Sequence, residues 1–290
     1  MNTLSIQNLS LIYNDKTKAI DDISLELKNG MFGLLGPNGA GKSSLMKTIV
    51  GLQRPTSGHI LFNGISTIEN PDIMKRQLGF LPQDFNVYPT ATTCQLLEHL
   101  AILKGMNNAK KRKEQIDMLL HNVNLYDARN KEVRTFSGGM KQRFGVAQAL
   151  LGSPRLIIVD EPTAGLDPVE RNRFNGLLTE ISREIIVILS THLVEDVRNL
   201  CSNMAVMQSG KLLCFGKPSK LTMSLKEKIW IKAIPKSELS AYEMRYRVIS
   251  YQFIESEMLI TVFSKEQPPG FQSSNPTLEH FYFFTLNQNN

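Results

Sequence analysis

The nine residues GPNGAGKSS, at positions 36–44 of this 290-residue chain, match the pattern G-x-x-x-x-G-K-[ST]. They follow the apolar run Met31–Leu35, which predicts a buried strand, and they open a segment with helical spacing of apolar side chains as far as Val50. Between a strand and a helix, a glycine-rich turn lets backbone N–H groups surround phosphate oxygens. The sequence therefore predicts a nucleotide-binding loop at this turn. Its residues are Gly36, Pro37, Asn38, Gly39, Ala40, Gly41, Lys42, Ser43 and Ser44.

A second apolar run, Leu156–Val159, ends in two acidic residues, Asp160 and Glu161. When such a run forms a buried parallel strand, its last residues face the edge of the sheet where ligands bind. We expect Lys42 to contact the outer phosphates of a triphosphate and the Ser43 hydroxyl to bind Mg²⁺. Asp160 would hold this Mg²⁺ through water, and Glu161 would polarise the attacking water.

Strand and helix signals alternate along the first 220 residues, which favours an α/β fold with a mostly parallel sheet and helices on both faces. The first thirty residues instead show the pattern of antiparallel strands, at Leu4–Ile6 and Ile23–Leu27. Amphipathic helices dominate the segment from about residue 84 to residue 150. We expect an inserted helical subdomain in that segment and a first domain that spans residues 1–222.

The remaining residues, 223–290, carry a different pattern. Three segments read as strands, namely Trp230–Ile234, Val248–Ile254 and Leu259–Phe263, and a short aromatic helix starts near Pro276. We expect these residues to form a small C-terminal α+β extension.

Composition places the chain among ordinary globular proteins, with 42% apolar and 21% charged residues and a formal net charge of +6. No apolar run approaches the roughly 18 residues of a membrane helix, and residues 1–10 lack a signal-peptide pattern, so we expect a chain that does not itself cross a membrane. Eight basic residues against four acidic ones lie between residues 101 and 135. A solvated helical surface is the favoured interpretation, attraction to anionic lipid is the alternative, and nucleic-acid binding is weaker because few aromatics are interleaved.

The segment TFSGGMKQR, residues 135–143, places two glycines at the start of a predicted helix, where glycine is less stable than alanine. This segment resembles the signature of ATP-binding subunits of ABC transporters. Together with the phosphate loop and the acidic strand end, it makes the chain resemble these subunits. The resemblance covers about residues 1–220. It implies a P-loop NTPase core that pairs head to tail, so that Ser137, Gly138 and Gly139 contact the γ-phosphate of ATP bound by the opposite subunit. Side chains on those glycines would obstruct this contact.

The same resemblance implies roles for four further residues. Gln83 would contact Mg²⁺ and the attacking water, and His192 would hydrogen-bond the γ-phosphate. Asp167, in the segment AGLD, would touch the opposite subunit's phosphate loop, although an Asp before Pro168 is also a favoured helix N-cap. Tyr13 would stack on adenine, with core packing as the alternative. An exposed polar residue is the alternative for Gln83, and a structural histidine is the alternative for His192.

Two residues depart from the family's usual signature of leucine, serine, two glycines and glutamine. Phe136 replaces the leucine and Met140 replaces the glutamine. A thioether cannot make the polar contacts of an amide, so any hydrogen bond from that position to the nucleotide is in question. Gln142 lies on a different face of the predicted helix and is no obvious substitute.

The resemblance implies an ATP hydrolase that powers transport by separate membrane-spanning permease subunits. Its cofactors would be ATP and Mg²⁺, and its location the cytoplasmic face of the cell membrane, as a peripheral protein. The second ATP-binding subunit could be identical or different, and no nucleic acid is expected. The segment PTLEHFYF, residues 276–283, resembles the tails of export-type subunits. Residues 84–100 are a candidate surface for the permease, with packing of the helical subdomain as the alternative.

A related ATPase that acts on a ribosome or a nucleic-acid complex is the second functional hypothesis. Ribosome-acting relatives usually carry two ATP sites in one chain, whereas this chain shows one phosphate loop. DNA-acting relatives insert long coiled coils, and residues 43–137 contain no sustained heptads. A kinase is a third and weaker hypothesis, because the paired acids and the signature turn would then have no role.

Overall fold

The computed structural model describes residues 1–82, 90–162, 166–254 and 257–288. The chain forms two compact units. The first comprises Met1–Ser202 and Met207–Leu212, and the second comprises Asn203–Val206 and Leu213–Asn290.

The first unit contains eight strands and seven α-helices among the described residues. The strands are β1 (Thr3–Ile12), β2 (Lys18–Lys28), β3 (Gly30–Leu35), β4 (Ser57–Phe62), β5 (Ile65–Ser66), β6 (Leu78–Leu81), β7 (Leu156–Asp160) and β8 (Ile186–Thr191). The helices are α1 (Lys42–Ile49), α2 (Pro71–Gln77), α3 (Thr93–Leu103), α4 (Ala109–Asn122), α5 (Gly138–Leu150), α6 (Pro168–Ile181) and α7 (Val194–Leu200). The division between the units passes through β9 (Asn203–Gln208) and β10 (Lys211–Gly216).

The N-terminal strands form an antiparallel sheet in the order β2-β1-β4-β5. Alternate side chains of β1 are buried, including Leu4 and Ile6, which are opposite Leu27 and Leu25 of β2. Alternation of this kind buries one face of each strand. The predicted antiparallel β subdomain is thus confirmed.

The second sheet of this unit contains β3, β8, β7 and β6, which lie side by side in that order and run parallel. All residues of β7 and β8 are buried, as in a sheet covered on both faces. In the register of this sheet Leu35 pairs with Thr191, and Asp160 pairs with Ser190. The carboxyl ends of β3, β8 and β7 therefore meet at one edge, which confirms the predicted parallel α/β core.

Helices α3, α4 and α5 lie within the predicted helical subdomain, about residues 84–150. Helix α3 begins at a capping box, in which the Thr92 side chain accepts from the Gln95 N–H and the Gln95 side chain accepts from the Thr92 N–H. At its other end, the Lys104 ammonium donates to three carbonyls, those of Leu78 (3.3 Å), Ala149 (3.3 Å) and Leu151 (2.8 Å). This lysine therefore connects α3 to β6 and to the end of α5.

Besides its parts of β9 and β10, the second unit contains four strands and three α-helices within its described residues. They are α8 (Pro218–Met223), β11 (Ile229–Ile234), α9 (Leu239–Arg245), β12 (Arg247–Ile254), β13 (Glu257–Phe263), β14 (Gln272–Ser273) and α10 (Leu278–Leu286). The strands form an antiparallel sheet in the order β12-β13-β11-β14. Met258, Ile260 and Val262 of β13 are buried in its core, against Tyr242 and Tyr246 from α9 and its end. The three predicted strands and the aromatic helix are all present.

Three helices were not predicted, namely α2, α8 and α9. Each has only six or seven residues. A helix of two turns shows too few apolar repeats to produce a recognisable period. Within the described ranges, none of the helices combines the length and the apolar character that crossing a membrane would require.

The burial of Lys104 leads us to expect that the stability of the protein depends on pH. Burial lowers the pKa of this ammonium from 10.5 to about 8. Between these two values the unfolded chain binds more protons than the folded chain, so the lysine favours folding increasingly as the pH rises. We expect the unfolding free energy of the wild type, relative to Lys104→Met, to increase from pH 8 to pH 10.5, by at most about 1.4 kcal/mol per pH unit.

The measurement is denaturant unfolding at several pH values. The matched control is Lys110→Met, because Lys110 is an exposed lysine of the neighbouring helix α4. The wild type and the control variant should keep a constant difference across this range. Parallel pH profiles for the wild type and Lys104→Met would contradict the prediction.

Candidate nucleotide site

The phosphate loop, residues 36–44, joins the end of β3 to the start of α1. Gly39 and Gly41 have φ angles of 79° and 101°, a region that favours glycine. A Cβ atom on Gly41 would lie 2.3 Å from the carbonyl oxygen of Ala19, and one on Gly36 would lie 2.3 Å from that of Met207. Close packing against two other chain segments therefore requires glycine at positions 36 and 41.

Lys42 is the first residue of α1 and is only 6% exposed. Its ammonium donates to the carbonyl oxygens of Gly36 (2.7 Å) and Pro37 (3.2 Å). Burial lowers the pKa of Lys42 below its usual value, and the carboxylates of Glu161 and Asp160 oppose this effect more weakly. The site thus holds a cation inside its own loop, with backbone carbonyls as its partners.

Asp160 ends strand β7 and lies next to the loop. The Ser43 hydroxyl donates to Asp160 Oδ2 over 3.3 Å. Burial raises the pKa of the Asp160 carboxyl, while the hydroxyls of Ser190 and Ser43 act in the opposite direction. The fold therefore brings together Ser43 and Asp160, two of the three residues that the sequence proposed for Mg²⁺, while the third, Gln83, lies outside the described residues.

Glu161 has a φ of 47°, which is uncommon for a residue other than glycine. Its backbone N–H donates to the carbonyl of Ser190 over 2.9 Å, and its carboxylate oxygen Oε2 lies 3.0 Å from Nδ1 of His192. Backbone conformations of this kind often occur at functional sites. His192 follows β8, the neighbour of β7, so the sheet brings these two predicted residues into contact.

Tyr13 lies after β1, and its hydroxyl is bonded to the loop helix. The hydroxyl donates to Gln53 Oε1 over 3.1 Å and is 3.0 Å from Ser44 Oγ. The side chain is partly exposed and borders the cavity over the loop. Tyr13 is therefore not packed in the core, which was the alternative. Its stacking on adenine stays a prediction.

A cavity of about 590 Å³ lies over the phosphate loop. Five of its lining residues were not predicted: Thr17, Lys18, Ala19, Ser209 and Gly210. The Gly210 N–H donates to the Ala40 carbonyl over 2.9 Å, and the Gly210 carbonyl accepts from the Asp21 N–H over 2.8 Å. The Ser-Gly pair signals a turn in the sequence, but its position beside the loop depends on these long-range contacts.

The signature turn lies at the start of α5. The Ser137 hydroxyl accepts from the Met140 N–H over 3.2 Å, so Ser137 is the N-cap of this helix. Ser137 and Gly138 are exposed. A Cβ atom on Gly139 would lie 2.8 Å from Glu170 Oε2, so this glycine packs directly on α6. In the part of the chain that the structure describes, the lining of the cavity over the phosphate loop includes none of the three signature residues.

The structure describes Asp167 but not Gln83. Asp167 is exposed and is the N-cap of α6, since its side chain accepts from the Glu170 N–H over 2.9 Å. The capping alternative for this residue is therefore present. Gln83 and the residues that follow it as far as position 89 lie outside the described residues, as do residues 163–165. The contact of Gln83 with Mg²⁺ and the attacking water stays a prediction.

Comparison with known proteins identifies the family. The sequence profile described as ABC transporter matches residues 20–164. The chain belongs to the ABC transporter family. The ABC protein YxlF of Bacillus subtilis, named as an uncharacterized ABC transporter ATP-binding protein, is 34% identical over 244 residues, which cover 80% of each chain.

Two other relatives carry names that state a role. The linearmycin resistance ATP-binding protein LnrL of Bacillus subtilis is 34% identical over 224 residues, covering 77% of this ABC chain and 71% of the relative. The Nod factor export ATP-binding protein I of Cupriavidus metallidurans is 34% identical over 220 residues, covering 75% and 72%.

Solved structures show the same fold. CbiO1 of Clostridium perfringens, part of the ABC transporter complex cbiONQ, has a TM-score of 0.69 and 29% identity, and the match covers 75% of this chain and 89% of that one. A dimeric ATP-binding cassette in a post-hydrolysis state, bound to ADP and Pi, has a TM-score of 0.68 and 25% identity, covering 74% and 98%. The P-loop NTPase fold of the first unit is therefore confirmed, and the chain is an ATP-binding protein of the ABC type.

Lys42→Ala should weaken ATP binding by roughly ten- to a hundredfold, because hydrogen bonds to charged groups contribute about 1.5–3 kcal/mol. Isothermal titration calorimetry with the isolated chain measures this loss. The matched control is Lys47→Ala, since Lys47 is an exposed lysine of the same helix. Equal ATP affinities for the wild type and Lys42→Ala would remove Lys42 from the site.

Proposed function

We propose that this ABC protein binds and hydrolyses ATP to power transport by separate membrane-spanning subunits, and that it works as a head-to-tail pair. The proposal rests on one observation, namely that the phosphate loop and the signature turn lie apart from each other within one chain. The phosphate loop borders a cavity at the edge of the parallel sheet, whereas Ser137 and Gly138 of the signature turn are exposed elsewhere. A pair in which each signature turn meets the other subunit's cavity would complete both sites.

The residues of the cavity fit ATP and Mg²⁺. The loop offers N–H groups and the Lys42 ammonium to phosphate oxygens, and Tyr13 borders the same space for a purine ring. The Ser43 hydroxyl would supply an oxygen ligand to Mg²⁺, which prefers oxygen, and the Asp160 carboxylate beside it would hold the ion through water. We propose that these two residues and Gln83 hold Mg²⁺, which would neutralise charge on the phosphates when bound.

Glu161 is the proposed general base. Its carboxylate would accept a proton from the attacking water, and the bond with His192 Nδ1 holds that carboxylate in place. We propose that His192 exchanges this bond for the γ-phosphate when the pair closes. The exchange would release Glu161 to act only when ATP and the opposite subunit are both in position.

The signature residues would act on the opposite subunit's nucleotide. Ser137 already accepts a backbone hydrogen bond, and its exposed hydroxyl could at the same time donate to a γ-phosphate oxygen. Gly138 and Gly139 would add backbone N–H groups at the N-terminus of α5, where the helix dipole favours an anion. Asp167 is exposed at the start of α6 and would meet the opposite phosphate loop.

The proposed partners are permease subunits and a second ATP-binding subunit, identical or different, at the cytoplasmic face of the cell membrane. The names of two relatives, linearmycin resistance and Nod factor export, support transport, and the second supports export. Another relative of 32% identity is named for methionine import, so the proposal of export also relies on the C-terminal resemblance. The names of these relatives refer to transporters, resistance, export or import, and none of them mentions a ribosome or DNA, which favours transport over the second hypothesis.

Glu161→Gln should bind ATP but hydrolyse it at least about 100-fold more slowly, because an amide cannot accept the proton of the attacking water. The ATP-bound variant should accumulate as a dimer in size-exclusion chromatography with light scattering. Glu180→Gln changes an exposed acid of α6 and serves as the control, which should keep wild-type turnover. Rapid hydrolysis by Glu161→Gln would exclude Glu161 as the base.

Gly138→Asp should leave ATP binding by the monomer unchanged and reduce hydrolysis by about 100-fold or more, because the new carboxylate would oppose the γ-phosphate across the pair. Calorimetry of the monomer and steady-state hydrolysis measure the two properties. Gly176→Asp is the control, because a Cβ atom at Gly176 of α6 would meet no atom of another segment within 4 Å. Weakened binding by monomeric Gly138→Asp would place the signature turn in its own subunit's site.

A further inference from the structure

Two consecutive residues in the first turn of α6 form ion pairs with two different helices. Glu170 Oε2 lies 2.9 Å from Arg143 Nη1, and Arg143 belongs to α5. Arg171 donates from Nε (2.9 Å) and Nη2 (2.7 Å) to Oδ1 of Asp196, which belongs to α7. The first turn of α6 is therefore bonded to α5 on one side and to α7 on the other.

These ion pairs are shielded from water. The side chain of Asp196 is 1% exposed and that of Arg171 is 25% exposed, while Arg143 and Glu170 are 13% and 21% exposed. Arg173 also contacts Glu170, over 3.2 Å, but its own side chain is 60% exposed. Exposed pairs contribute little, whereas loss of one partner of a buried pair has large consequences. The two shielded pairs therefore constrain α6, and the Arg173 pair offers a comparison.

Each of the three helices begins beside a proposed functional residue. Helix α5 begins at the signature turn, and Gly139 of that turn packs directly on the Glu170 side chain. Asp167 caps α6 three residues before Glu170. Helix α7 begins two residues after His192, and Asp196 lies in its first turn. The two ion pairs thus join the starting turns of α6 and α7 and connect both to the signature helix.

We propose that four positioning residues fix the signature turn relative to His192, namely Arg143, Glu170, Arg171 and Asp196. The inference rests on the proposed head-to-tail pair. There the signature turn serves the opposite subunit's nucleotide, while His192 serves the nucleotide of its own subunit. The first turn of α6 consequently connects the two ATP sites of the pair, so that closure of one site positions His192 in the other.

The test is a double-mutant comparison of steady-state ATP hydrolysis by the full chain. Arg143→Met removes the α5 connection, and Arg171→Met removes the α7 connection. Each should lower kcat roughly tenfold, within the 5- to 150-fold range typical of coupled sites. Because interrupting the connection at either end disconnects the same path, the double variant should be no slower than the slower single variant. ATP affinity of the monomer, measured by calorimetry, should stay unchanged throughout.

Arg173→Met is the matched control, since it removes only the exposed contact to Glu170. It should keep wild-type kcat, and added to Arg143→Met it should cause no further loss. If removal of Arg171 destabilises the fold, a second series uses Arg143→Lys and Arg171→Lys, which keep the charge but lose the planar fork of the guanidinium. Thermal melts accompany both series, and the lysine series should show smaller losses with the same non-additivity.

A double variant whose loss is the product of the two single losses, roughly a hundredfold, would overturn the inference, because independent structural effects combine in that way. Wild-type kcat in both single variants would also overturn it. Failure of the proposed function has a different signature, namely that Glu161→Gln forms no dimer with ATP. Multiplying losses alongside a normal ATP-dependent dimer would reject the positioning role alone.

Discussion

The site depends on the parallel register of β3, β8 and β7. These strands are almost wholly buried, so their backbone N–H and C=O groups must pair with one another, and the register cannot slip without leaving some of them unpaired. In this register the three strands end together. The phosphate loop, the acidic pair Asp160–Glu161 and His192 consequently start from the same edge of the sheet, although up to 156 positions separate their residues in the sequence.

Burial at this edge acts oppositely on the two charged groups beside the loop. It lowers the pKa of Lys42 and raises that of Asp160, so it disfavours the charged form of each. Backbone carbonyls of the loop and the Ser43 hydroxyl offset part of this cost. The proposed ligand would supply the rest, because its phosphates are anionic partners for Lys42 and Mg²⁺ is a cationic partner for Asp160.

The glycines of the phosphate loop and those of the signature turn have different structural surroundings. Gly36 and Gly41 are in close contact with backbone carbonyls of other segments, and a larger residue would displace the loop. Gly139 packs on the Glu170 side chain, whereas Gly138 is exposed. The signature turn therefore has one glycine that contacts a neighbouring helix of its own subunit and one whose proposed reason lies in a second subunit. This difference makes position 138 the cleaner probe of pairing.

Local patterns in the sequence were sufficient for the phosphate loop, the acidic strand end, the α/β core and the strands of the second unit, because each depends on spacing within one short segment. The cap formed by Asp167 was visible for the same reason, while short helices such as α2 were missed for lack of repeats. Local patterns could not predict three features, namely the contact between Glu161 and His192, the place of Gly210 beside the loop, and the ion pairs of Glu170 and Arg171. They join residues that are distant in the chain, and the packing of strands and helices alone brings such residues within hydrogen-bonding distance.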